Sequence, residues 1–129
     1  LIGLKNVKDA QLVAGFSFQF VEMPHGPVTS TGFRFEADGK SLVYATDFSE
    51  ITPQMIKCFK GPDLLVVDCL RRRPHPTHAH LEMAIELARK IKARKTVLTH
   101  MDKSMDYRTL CDEVPKDVVV GFDGLGLEV

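Results

Sequence analysis

The sequence has no excess of charge of either sign. Seventeen Lys plus Arg balance seventeen Asp plus Glu, which disfavours a protein steered by its overall field onto nucleic acid or an anionic membrane. It has no apolar run near the ~18 residues of a membrane span. No basic segment precedes a short apolar stretch near the start, so neither a membrane partner nor a secretory leader is expected. Cysteine is scarce: Cys58, Cys69 and Cys111 are odd in number, widely spaced and without a Cys-x-x-Cys pair. That excludes a structural zinc knuckle and fits reduced thiols in the cytoplasm better than a disulfide frame. No repeat, linker or low-complexity tract divides the chain. What is present is 44% hydrophobic residues in 129, enough for one core and too little for two independent domains. The opening Leu1-Ile2-Gly3 is followed so soon by a strand-like pattern that the chain reads as a piece of a longer protein.

Phe16, Phe18 and Phe20 alternate with Ser17, Gln19 and Val21, which predicts a half-buried strand over Phe16 to Met23, stopped by Pro24-His25-Gly26-Pro27. Two further strands, Thr31 to Ala37 and Ser41 to Thr46, flank Asp38-Gly39-Lys40, and the Asp-Gly turn predicts an antiparallel hairpin. Thr52 to Phe59 reads as a short helix with Pro53 at its first position. Asp63 to Asp68 contains the continuous apolar run of a strand buried on both faces. Leu81, Ala84, Ile85, Ala88 and Ile91 mark one face of a helix over His78 to Ala93. Then follow a strand at Thr96 to Thr99, a helix at Tyr107 to Glu113, a strand at Asp117 to Gly121 and a final strand at Leu125 to Val129. Alternating strands and helices from Ser41 onward imply right-handed crossovers and a parallel sheet joined to the hairpin, an α/β class with a mixed sheet.

Parallel strands joined by crossovers present their carboxyl ends at one edge, where open α/β sheets bind ligands. Here the strand ends carry Asp47, Asp68, His100 and Asp123. Asp123-Gly124 is explained as a turn. His100 has no turn role and, with Asp47, is a candidate site residue; Asp68 is balanced between the two readings. His25, in a stiff Pro-His-Gly-Pro loop, is equally a site residue or an exposed loop histidine. His75-Pro76-Thr77-His78-Ala79-His80 matches no standard zinc spacing. It precedes a helix whose free N–H groups attract anions, and Arg71, Arg72 and Arg73 lie just upstream, so a phosphate cradle is expected there. A solvated basic loop accounts for at least one of the arginines, and His80 reads as a first-turn helix residue.

Val43-Tyr44-Ala45-Thr46-Asp47, Asp63-Leu64-Leu65-Val66-Val67-Asp68, His75-Pro76-Thr77-His78, Leu98-Thr99-His100-Met101 and Phe122-Asp123-Gly124-Leu125, in that order, resemble the metallo-β-lactamase superfamily. Within it they resemble the branch that includes phosphoribosyl cyclic phosphodiesterases. The resemblance implies an αββα sandwich holding two divalent metal ions, zinc or manganese, that activate a water for attack on a phosphodiester. By motif match, Asp47 corresponds to the carboxylate bridging both metals, His25 to a ligand of one and His100 to a ligand of the other. His78 corresponds to a non-ligand histidine acting as general acid or phosphate contact, with His75 and Arg72 as phosphate-binding candidates. The superfamily's His-x-His-x-Asp-His is absent; the only His-x-His is His78-Ala79-His80. Residues 1–129 therefore read as the C-terminal half of such a domain.

The expected function is a binuclear metal-dependent phosphodiesterase acting on a small, cyclic or nucleotide-like ester. Thioester, lactone or RNA-processing hydrolysis on the same scaffold is the alternative, and a metal-free interaction module is the rival from outside enzymes. The expected partners are the small phosphate ester and the N-terminal half of the same domain. Phe16, Phe18, Phe20, Phe33 and Phe35 are candidates for the sheet face that half would cover, and a homodimer is possible through the same face.

Overall fold

The computed structural model describes residues 11–13 and 15–129. Among the described residues seven strands form one sheet in sequential order: β1 (Gln11–Val13), β2 (Phe16–His25), β3 (Val28–Ala37), β4 (Lys40–Ala45), β5 (Leu64–Asp68), β6 (Lys95–Thr99) and β7 (Val118–Val120). β1 to β4 pair antiparallel, and β4 to β7 pair parallel. Helices α1 (Pro53–Phe59), α2 (Leu81–Lys90) and α3 (Tyr107–Glu113) make the three crossovers. The architecture is the expected mixed α/β sheet. Among the described residues no helix is long and apolar enough to cross a membrane.

Turn chemistry sets the antiparallel half. Asp38 and Gly39 both take positive φ, 51° and 72°, and join paired Ala37 and Lys40, which is the two-residue turn that matches strand twist. A second tight turn was not expected: Gly26, at φ 58°, and Pro27 link paired His25 and Val28. The strands on either side therefore run through Pro24-His25 and start at Val28, rather than stopping at Met23 and starting at Thr31. β1 was also unforeseen, since three residues carry too little pattern to read.

Successive crossovers of one hand, stepping in one direction across a sheet, place all their helices on the same face. That face carries Met23, Val43, Leu65, Val67, Leu98 and Val120, which are buried with Met55 and Phe59 of α1, Leu87 of α2 and Leu110 of α3. Gly32 is required there. A Cβ on it would stand 2.5 Å from the Phe59 ring and 2.8 Å from the Met23 sulfur. The other face, by the pleat alternation, carries Phe18, Phe20, Phe33, Phe35 and Tyr44. The four phenylalanines form a contiguous set, with ring centroids 5.0 to 6.3 Å apart, and Tyr44 is 42% exposed. Phe16 extends it at 48% exposed.

Two expectations need correction. Leu125 to Val129 forms no strand. The long helix begins at Leu81 instead of His78, because the Ala79 carbonyl is already taken by Leu70 N–H at 2.9 Å; the first helical bond is Ala84 N–H to the His80 carbonyl. His80 is the N-cap residue, with no side-chain cap bond. The helix ends at Lys90, and Lys92 at φ 58° turns the chain away before Ala93.

The collision at Gly32 makes Gly32→Ala destabilising by about 1–3 kcal/mol, read as a lowered midpoint in thermal or urea unfolding. An unchanged midpoint would refute the close packing of α1 on β3. Cys69 is fully buried, and burial, with the neighbouring Asp68 charge, pushes its thiol up to about 12. Because the thiolate is the nucleophile, iodoacetamide at neutral pH is expected to alkylate exposed Cys111 in the folded protein and Cys69 only after denaturation, as mapped by peptide mass spectrometry.

Candidate metal and phosphate site

β2 and β4 are each antiparallel to β3, so both run in the direction of β5 and β6. The carboxyl ends of these four strands therefore meet at one edge. His25 is the last residue of β2 and Asp68 the last of β5, while Asp47 and His100 follow β4 and β6. Asp47 and His100 adopt left-handed backbone conformations, φ 61° and 63°, which Asp and His tolerate better than most residues. Each strand thus turns sharply at its functional side chain. Asp47 is held on both sides of its peptide: its N–H donates to Asp68 Oδ2 at 3.0 Å and its carbonyl accepts from Ser30 Oγ at 2.7 Å.

The segment between β5 and α2 is a closed excursion. Leu70 N–H donates to the Ala79 carbonyl, and Leu81 N–H donates back to the Arg71 carbonyl at 3.0 Å. Asp102 N–H, from beyond β6, donates to the Leu70 carbonyl at 2.8 Å. This closure sets His78 into the edge. The Thr77 carbonyl accepts from His25 Nδ1 at 2.6 Å, and Gly26 lies so near that a Cβ there would be 2.5 Å from Thr77 Cγ2. The β2–β3 turn and the histidine loop are thereby packed as one unit.

His78 is the centre of the cluster. Its ring centroid is 4.8 Å from that of His25, 4.9 Å from His100 and 5.3 Å from His75. Its Nδ1 is 3.0 Å from Asp68 Oδ2 and 3.6 Å from Asp47 Oδ1. His100 Nδ1 is 3.2 Å from Asp68 Oδ1. Exposure rises outward: the Asp68 side chain is 0% exposed, His78 15%, Asp47 40% and His100 45%.

Among the described residues two sets of three donor groups have ligand atoms within 4.8 Å of one another, His25–Asp47–His78 and Asp68–His78–His100. Imidazole nitrogen and carboxylate oxygen suit zinc or manganese, so the side chains present fit divalent-metal binding. His25 Nδ1 faces a carbonyl, which can only accept, so that nitrogen carries the proton and Nε2 is left with the lone pair a metal needs. His75 is the reverse. Its Nδ1 accepts the Thr77 N–H at 3.1 Å, leaving Nε2–H as a donor in the neutral ring. Burial, then the Arg71 charge, lowers its pKa, which favours that neutral form.

The structure thus brings His25, Asp47, His78 and His100 together, with His75 beside them. Arg72 goes elsewhere: its guanidinium pairs with Glu113 of α3 at 2.5 Å. Arg71 folds onto the Arg73 and Pro74 carbonyls. With α2 starting at Leu81, the expected cradle of arginines and helix N-terminus around His78 is not assembled. Asp123 is exposed in a turn, as expected. Asp68, evenly balanced in the sequence, is at the heart of the cluster; its one signal is a carboxylate closing an otherwise apolar strand. A groove of about 570 Å³ lined by Arg34, Glu36, Lys40 and Asp63 lies at the opposite edge; there Arg34 pairs with Glu36 and Asp63 accepts the Ser41 N–H and pairs with Arg94, and the groove holds no histidine, so the metal-capable groups are those at the histidine edge.

Comparison with known proteins agrees with this geometry. The family described as "Beta-lactamase superfamily domain" matches residues 3–101. A diphosphatase of the PhnP family has a similar structure, with a TM-score of 0.82 and 33% identity over 92% of this chain and 45% of its own. Human tRNase Z, short form, gives 0.73 at 19% identity, covering 95% and 46%. Zinc-bound PqqB from Methylobacterium extorquens gives 0.75 at 18%, covering 95% and 54%; these last two likenesses show the fold. An octanoyltransferase from Porphyromonas gingivalis is 27% identical over 115 residues, 88% of this chain but 23% of that protein. The chain spans about half or less of the length of these proteins. With the family match covering most of its residues and the strand-end histidines and aspartates in place, the chain belongs to the metallo-β-lactamase superfamily.

Proposed function

We propose that the chain contributes the C-terminal half of a binuclear metal-dependent hydrolase acting on a small phosphodiester or related phosphate ester. The observation that carries this reading is the meeting of His25, Asp47, His78 and His100 from four separate positions at one sheet edge. Likeness to a diphosphatase supports phosphate chemistry, and the charge balance argues against a long RNA substrate. The three free thiols support a reducing, cytoplasmic setting.

Asp47, His25 and His100 are the residues that would hold the zinc or manganese ions, Asp47 in the position to serve both. Bound there, such ions lower the pKa of water and neutralise phosphoryl oxygens. His78, mostly buried and packed between His25 and His100, protonates the leaving oxygen, and His75 directs its Nε2–H to a phosphate oxygen. Arg72 could join only by releasing Glu113, so its part is the weaker one. The remaining ligands belong to the N-terminal half, which also covers the phenylalanine face of the sheet. That face fits the inner layer of a sandwich, because a contiguous aromatic surface is costly to leave in water.

In the longer protein, Asp47→Ala is expected to lose bound metal and hydrolysis together. His78→Ala is expected to keep metal and fold while turnover falls about 10²- to 10⁴-fold, the range for a general acid. Metal analysis beside steady-state kinetics checks both, and wild-type turnover in His78→Ala would remove the acid role. Residues 1–129 alone are expected to self-associate, to bind metal weakly and to leave bis(p-nitrophenyl) phosphate intact with added Mn²⁺ or Zn²⁺. Sedimentation velocity and the p-nitrophenol assay test this, and a monomer with turnover would overturn the half-domain reading.

A further inference from the structure

We propose that Tyr107 and Phe122 form a subsite for a planar heteroaromatic ring, of the nucleobase type, carried by the ester whose phosphate is held at the histidine edge. The two rings meet at a centroid distance of 6.1 Å and an interplanar angle of 88°. They make a corner with two walls at a right angle. A flat ring lying parallel to one wall presents its edge to the other, and stacked and edge-to-face contacts are the arrangements that aromatic quadrupoles favour. Both side chains are open to solvent, Tyr107 at 47% and Phe122 at 54%. Single exposed apolar side chains are ordinary; two aromatics in contact beside a cluster of reactive groups supply the apolar wall that small-molecule sites use.

The corner is built on the same edge as the histidines. β7 lies beside β6 with Val120 opposite Leu98, and the Gly121 N–H donates to the Leu98 carbonyl at 2.9 Å, so Phe122 comes level with His100. Gly121 permits this approach, since a Cβ there would stand 2.5 Å from that carbonyl oxygen. A turn holds Phe122 from the other side: Leu125 N–H donates to its carbonyl at 3.0 Å, with Gly124 at φ 90°. Tyr107 is the first residue of α3, which Asp106 caps by accepting the Thr109 N–H at 2.9 Å. The loop that leads there from His100 is tied to the histidine loop by the Asp102 N–H on the Leu70 carbonyl. Leu110 of α3 and Val118 and Val120 of β7 are buried in the core under the helices, so the corner stands clear of the phenylalanine face assigned to the other half of the domain. Both rings are thus fixed in place before a ligand arrives. The phosphate at the neighbouring edge rests on the proposed hydrolase; the aromatic corner does not.

Isothermal titration calorimetry on the full-length protein with added Mn²⁺ tests this by comparing adenosine 5′-monophosphate with ribose 5-phosphate, which lacks the adenine ring. The adenine compound is expected to bind about 5- to 100-fold more tightly, the range for one base stacked on aromatic side chains. Phe122→Ala is expected to bring it down to the level of ribose 5-phosphate, whose own affinity stays unchanged, and Phe122→Tyr is expected to keep the preference. A wild type that binds the two compounds equally would overturn the proposal, and that comparison decides even if Phe122→Ala fails to fold. A folded Phe122→Ala with its preference intact would also overturn it, as would binding of neither compound. Turnover is measured separately, so the two readings fail in different ways. Preference for the adenine compound in a protein that hydrolyses no phosphodiester would keep the corner and discard the hydrolase. Hydrolysis of bis(p-nitrophenyl) phosphate without that preference would discard the corner alone.

Discussion

The constraint on which the molecule depends is the hand and direction of three crossovers. β4, β5, β6 and β7 lie side by side in chain order and run parallel. Right-handed connections stepping the same way across the sheet leave α1, α2 and α3 on one face only. Two consequences follow from this one fact. All the strand carboxyl ends share an edge, which collects Asp47, Asp68 and His100 without any of them being near in sequence. Among the described residues the opposite face receives no helix, and the sequence furnishes it with phenylalanines. The site and the aromatic face are products of the same connectivity.

At that edge the buried group is Asp68, and burial of a carboxylate is tolerable only with hydrogen-bond donors around it. The donors are drawn from three elements: the strand end at Asp47, the closed loop at His78 and the strand end at His100. The loop could not serve if it were open. Its closure through Leu70, Arg71, Ala79 and Leu81 uses backbone groups alone, so residues 72–78 can vary in conformation only within a fixed mouth. Packing of Gly26 on Thr77, with the His25 to Thr77 bond, attaches the antiparallel half of the sheet to the same loop. Groups from both halves of the topology are thereby held at contact distance around His78.

The chemistry that this arrangement supports depends on which ring nitrogen each histidine offers. His25 is tied at Nδ1 by a carbonyl, and His75 accepts at Nδ1 from an amide. Neighbouring imidazoles are thus set in opposite senses, one suited to a metal and the other to an anion. Such sorting is the work of outer partners, which orient a ligand as decisively as its own position does. Membership in a superfamily leaves the substrate open, because one scaffold carries many reactions; the proposal of a phosphate ester draws on likeness to a diphosphatase.

The sequence by itself determined the element types between Phe16 and Val120, the Asp38-Gly39 hairpin, the mixed sheet and the strand-end residues His25, Asp47 and His100. Those are local properties, since the period of side chains and the demands of a tight turn act over a few residues. It also marked the aromatic face, because alternation in β2 and β3 already separates Phe18 and Phe35 from Val21 and Arg34. Only the tertiary structure decided how the three histidines between residues 75 and 80 divide their roles. His80 caps α2, His78 enters the cluster and His75 stands beside it, because the helix start was fixed by a bond between Leu70 and Ala79 that no periodicity encodes. Arg72 was likewise settled at a distance, by Glu113 on another helix. Asp68 could not be read from its own neighbours for the same reason: a carboxylate ending a buried strand acquires its meaning from donors 21 and 32 residues away in the chain, which folding alone brings within hydrogen-bond range.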